Sequence, residues 1–144
     1  MFGNLAMGSL LVALSVMIHT AGLILIGWTT PALAGWLGLR HHDVGRSLVM
    51  TGTVLGILVL LTLEVWTWAI AYAALRATDS FAEALFLSTA LFSTLGYGEV
   101  AFTPEWRLLT ALEGINGFLL IGWSTAFLVR ASTRHGPFRR DEHF

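Results

Sequence analysis

The residues with the most chemical content stand in one run, Ser93-Thr94-Leu95-Gly96-Tyr97-Gly98-Glu99. Two glycines separated by a single residue let a backbone alternate between conformations closed to other residues. Successive carbonyl oxygens can then face the same way. Repeated around an axis by several chains, such carbonyls form rings able to replace the water around a cation, and the Thr94 hydroxyl would add an oxygen at one end. Three other residues, His19, Glu64 and Glu113, are ionisable yet lie in otherwise apolar stretches. Groups of that kind are costly to bury in hydrocarbon and are candidates for function by default.

The chain carrying them has 144 residues, of which 56% are hydrophobic and only 12% charged, with a mean hydropathy of +0.74. A soluble domain carries about 25% charged residues. No charge occurs between Met1 and Leu39, and between Ser47 and Leu75 the only one is Glu64. Between Leu108 and Val129 the only one is Glu113. Each stretch exceeds the roughly 20 apolar residues that cross a bilayer as a helix. A soluble enzyme, a nucleic-acid binder and a disordered chain are excluded. All eight basic residues are Arg and the net charge is −1, so no polybasic field points to nucleic acid. With no Cys there are no disulfides or thiolate metal sites. No residue set suggests catalysis, and no cofactor is expected.

The first span is read at about Leu5–Trp28, with Thr29-Thr30-Pro31 ending or kinking it because Pro31 lacks an amide donor. Ala32–Leu39 is too short to cross and is expected to lie at the interface as a separate segment. The second span is read at Leu48–Leu75, with Trp66, Trp68 and Tyr72 as an aromatic interface belt. Ser80 and Glu83 fit a capping box. The helix it would start, Phe81–Phe92, has 12 residues and reaches only about halfway through the hydrocarbon. A half-length helix followed by Gly-x-Gly must turn back. The last span is read at Leu108–Val129. The expected fold is an all-α membrane protein, with three transmembrane helices, a re-entrant helix and a loop. Three helices do not enclose a path alone, so a homo-oligomer is expected.

Six arginines (Arg40, Arg46, Arg130, Arg134, Arg139, Arg140) fall on one side of these spans and two, Arg76 and Arg107, on the other. The positive-inside rule puts the six in the cytoplasm, with the N-terminus outside and the chain in the plasma (cell inner) membrane. The outer loops hold Asp79, Glu83, Glu99 and Glu105, which outnumber their two arginines and would concentrate cations.

From Leu48 to Val129, the order of span, capped half-helix, Thr94-Leu95-Gly96-Tyr97-Gly98 and span resembles the pore domain of potassium channels. That family's signature is T-V/L-G-Y-G followed by an acid. The resemblance implies a homotetramer in the lipid bilayer that conducts K+ through a filter. Carbonyls of Thr94, Leu95, Gly96 and Tyr97 would hold the ions, with Gly98 completing the signature. Tyr97 would brace the filter, where an Asp would suggest a non-selective relative. Ser93, Glu99 and Glu113 would support it. Gly117 falls where the family often has an inner-helix hinge, and Gly122 and Ala126 would line the inner pore. The implied division is residues 1–46 as an N-terminal helix and connection, 47–130 as the pore domain and 131–144 as a tail. Two departures stand out: Glu99 where Asp is commoner, and Phe86 and Leu87 where tryptophans often stand. A weakly selective monovalent cation channel and an ion-conducting subunit of a cation uptake system are the alternatives.

Glu113 lies one turn before Gly117, within reach of hydroxyls such as Ser88, Ser93 or Thr94, and could tune the filter or serve as a brace. His19 and Glu64 both sit near mid-depth of antiparallel spans. They either meet or find separate hydroxyl or carbonyl partners. Neither of the first two spans has Arg at every third position, so neither is a voltage sensor.

Overall fold

The computed structural model describes residues 2–38, 43–95 and 106–135. Among the described residues the secondary structure is four helices, α1 (Phe2–Trp36), α2 (Asp43–Ala74), α3 (Phe81–Phe92) and α4 (Arg107–His135). Three of them, α1, α2 and α4, are long and apolar enough to cross a membrane. A helix meets its own backbone hydrogen bonds, which is the condition for an open chain segment to stand in hydrocarbon. The architecture is all-α, with three membrane-length helices and one short helix between the second and third.

The short helix starts where the capping box predicts. Ser80 is extended (φ −144°, ψ 157°) and its hydroxyl accepts from the Glu83 N–H at 3.2 Å. The Glu83 carboxylate reaches back to the Asp79 N–H, also at 3.2 Å. Together they satisfy amides that a helix start leaves free. At the other end, the Ser93 N–H donates to Thr89 and the Thr94 N–H to Leu91.

The first helix departs from expectation. It runs unbroken through Pro31 to Trp36, so no separate interfacial segment begins at Ala32. Pro31 removes one hydrogen bond, to the Gly27 carbonyl, whereas a break would leave several backbone groups bare in hydrocarbon. The helix stops at Gly38, which takes a left-handed φ of 66°. At the end of α2, Arg76 does the same with φ 53°, while the Ala77 N–H bonds the Tyr72 carbonyl and the Arg76 N–H that of Ala73. This is a Schellman closure with arginine where glycine is usual.

The chain forms two compact units. The first comprises Met1–His19 and Leu61–Ile121. Its core holds Leu11, Trp68, Tyr72, Ala84, Leu87, Phe92, Leu109 and Leu120. The buried positions of α1 here are Gly8, Leu11, Ser15 and His19, one face at helical spacing. Gly8 admits α4 closely: a Cβ there would meet Leu112 Cδ1 at 2.5 Å. The second unit comprises Thr20–Leu60 and Gly122–Phe144. In it α1 and α2 run antiparallel, with Gly22 against Leu60 and Gly56 against Ile26. Small residues at contacts are how membrane helices gain close packing, since lipid offers no hydrophobic drive between them.

Candidate functional site

The site is built around Glu113 of α4, which is fully buried in the first unit. Tyr72, from α2, donates its hydroxyl to Glu113 Oε2 at 2.6 Å. Ser88, from the middle of α3, lies 2.5 Å from Glu113 Oε1 and donates to the Val65 carbonyl at 2.9 Å. One carboxyl thus joins α2, α3 and α4. The sequence offered Ser88, Ser93 or Thr94 as partners, and the structure selects Ser88. The Ser93 hydroxyl instead contacts the Ala90 carbonyl of its own helix.

One turn along α4 from Glu113, Gly117 meets the end of α3. A Cβ on Gly117 would lie 2.8 Å from both the Cα and the carbonyl carbon of Phe92, and closer still to the carbonyl oxygen. The absent side chain is therefore a contact requirement, independent of any bending of α4. Phe92 is the last residue of α3, and Ser93 and Thr94 follow at once. Thr94 is left-handed, with φ 58°. For a β-branched residue that is a strained conformation, of the kind that persists only when its surroundings hold it. Leu95 is 79% exposed. Gly96, Tyr97, Gly98 and Glu99 lie outside the described residues.

A second polar group lies between α1 and α2. His19 Nδ1 and Glu64 Oε1 are 2.9 Å apart, with both side chains fully buried. Of the two alternatives left open by the sequence, the pair forms. One turn away, Trp68 Nε1–H donates to the Ser15 hydroxyl at 3.1 Å. Trp68 and Tyr72 are wholly buried, so only Trp66, 47% exposed, can stand in an aromatic belt. The sequence reading missed the role of Tyr72. The signal was available: Glu64, Trp68 and Tyr72 are spaced by four, which puts them on one helix face.

Along α4, buried Glu113, Asn116, Gly117, Leu120 and Ser124 form one face. Ile115, Phe118, Leu119, Gly122, Ala126 and Val129 are exposed. Gly122 has nothing near the place of a Cβ. The two residues expected to line an inner pore thus lie on the uncovered side of α4 in the single chain.

A family model described as "Ion channel" matches residues 58–134, just over half of the chain. The chain belongs to this ion-channel family. The matched region runs from the middle of α2 nearly to the end of α4, and so includes α3, Glu64, Tyr72, Thr94, Glu113 and Gly117. Searches of curated proteins and of solved structures gave no match. With its three membrane-length helices, this member of the ion-channel family is an integral membrane protein. Of the channel's chemistry-bearing residues, His19 and Ser15 alone among those bonded above stand on α1, before the matched region.

Proposed function

We propose that this channel is a homotetramer that passes K+ down its gradient through a filter formed by Thr94, Leu95, Gly96, Tyr97 and Gly98. The observation that carries the reading is α3. A capped helix of 12 residues, held by Glu113 and seated on Gly117, ends directly before this run and turns Thr94 left-handed. Four copies would aim the negative ends of four such helices at a shared axis and favour a cation there. K+ is then the permeant ion rather than a cofactor, coordinated by carbonyls of Thr94, Leu95, Gly96 and Tyr97. Residues 47–130 serve as the pore domain, with Glu99 at the outer mouth and Gly122 and Ala126 facing the inner pore. The arginine asymmetry supports a plasma-membrane protein with its C-terminus in the cytoplasm and its N-terminus outside.

A weakly selective channel is the second reading, and one observation favours it. The polar side chains of α3 after its first turn are Ser88 and Thr89; Ser88 is engaged by Val65 and Glu113, and Thr89 bonds its own helix at Leu85. Support of the filter therefore falls on the Glu113 network. Flux from liposomes decides between the readings. Potassium and rubidium should pass and sodium should not, and Tyr97→Asp should abolish the difference. Wild-type protein without flux, or Tyr97→Asp with unchanged ion preference, would sink the selective reading. Comparable sodium flux in wild type would establish the second.

A further inference from the structure

The second compact unit contains a cavity of about 380 Å³ between α1, α2 and α4. Small-molecule sites span about 300–1,000 Å³. Its polarity changes along its length. Leu23, Gly27, Trp123 and Phe127 line it, with hydroxyls only from threonines (Thr20, Thr30 and Thr53), of which that of Thr53 is committed to the Val49 carbonyl at 2.9 Å. Gly27 and Phe127 stand opposite one another, 3.9 Å from the place of a Cβ on Gly27 to the ring. One turn further along each helix come Pro31 and Arg130, which also line the cavity. Pro31 has no N–H to donate to the Gly27 carbonyl. Arg130 is exposed, and no carboxylate pairs with it among the described residues.

We propose that this cavity binds an anionic phospholipid, with an acyl chain along the apolar wall and the phosphate at Arg130. An elongated site lined mainly by apolar side chains, with a cation at one end, is complementary to an anionic amphiphile. A free phosphate would satisfy Arg130 and leave the apolar length unfilled. The bilayer presents such lipids at high local concentration, and a planar guanidinium suits a phosphate through paired N–H donors. Much of the wall comes from α1, which precedes the region matched to the ion-channel family. The site is thus a property of this chain's added helix and does not depend on which ion is conducted.

The test uses the full chain, stripped of lipid in detergent and titrated with phosphatidylglycerol, with phosphatidylcholine of the same acyl chains, or with inorganic phosphate. Bound lipid is counted by native mass spectrometry. Wild type should bind phosphatidylglycerol about fivefold more tightly than phosphatidylcholine, the weight of one basic side chain at an anionic surface. Arg130→Gln, at an exposed position where folding is not at risk, should bring the two lipids level. Gly27→Leu, which grows into the cavity toward Phe127, should weaken both. Inorganic phosphate should neither bind measurably nor displace phosphatidylglycerol. Equal binding of the two lipids by wild type, a preference that survives Arg130→Gln, undiminished binding by Gly27→Leu, or displacement by phosphate would each overturn the proposal.

Discussion

Gly117→Ala separates two accounts of the same glycine. As a hinge, Gly117 would matter for how far α4 bends. As a contact, it matters because α3 ends against it. The added methyl would sit 2.8 Å from two backbone carbons of Phe92, and these atoms belong to no side chain that can swing aside. Carbon atoms in good contact stand at about 3.5 Å, so the two helices must part by at least roughly 0.7 Å at this point, and by more to clear the carbonyl oxygen. Overpacking of this kind costs on the order of 1–3 kcal/mol. The displacement is also handed on, since only Ser93 separates Phe92 from Thr94. The expected result is a less stable protein whose potassium-to-sodium flux ratio falls toward one. Thermal melting in detergent reads the first effect and flux from liposomes the second. A variant with wild-type melting and wild-type ion preference, altered only in how often the channel opens, would refute the contact account and restore the hinge.

Glu113→Ala leaves the Tyr72 hydroxyl and Ser88 buried without their shared partner, and should cost about 3 kcal/mol by the usual penalty for orphaned polar groups. Glu113→Gln can still accept from Tyr72 and donate to Ser88, so its loss in melting temperature should be well under half of that; equal losses would contradict the bonding pattern. His19→Ala, Glu64→Ala and the double variant should be non-additive, with a coupling of about 0.5–3 kcal/mol, and additive effects on melting would show that the 2.9 Å contact carries no energy. Arg76→Gly should raise stability by about 1 kcal/mol, because a left-handed conformation costs an L-residue that much and glycine nothing. A lower melting temperature for Arg76→Gly would show that the arginine side chain contributes more than its strained backbone loses.

The short helix α3 was legible to both ends because its determinants are local. Ser80 and Glu83 cap it, and its apolar run stops where the glycines begin. Glu113 was legible as a costly residue in an apolar span, but which hydroxyls it would meet depends on how α2, α3 and α4 are rotated against each other. No local pattern fixes that rotation. The His19–Glu64 contact was hidden for a similar reason: its formation needs a register between α1 and α2, which the Ser15–Trp68 bond shares. Tyr72 was misplaced by a rule about depth. Aromatic residues near a helix end do gather at interfaces, but rotation decides which of them face lipid. To a local pattern, Pro31 kinking the helix and Pro31 ending it are alike, and the ending is excluded by the hydrocarbon, in which a break costs more than one lost hydrogen bond.

The inward edge of α2 has a practical consequence for anyone seeking a minimal pore. Its successive turns present Glu64, Trp68 and Tyr72, the first two bonded to α1 and the third to Glu113. A fragment trimmed to begin at residue 47 would keep every residue matched to the ion-channel family, yet it would turn a carboxyl and an indole N–H toward acyl chains. Each such group costs several kcal/mol in hydrocarbon without a partner. Detergent-solubilised fragments of that design should aggregate or recruit a foreign helix to cover the same edge. The first helix is thus the partner that lets α2 carry Glu64 and the Trp68 indole on this edge, and the boundaries of a working fragment are set by hydrogen bonds as well as by the extent of the family match.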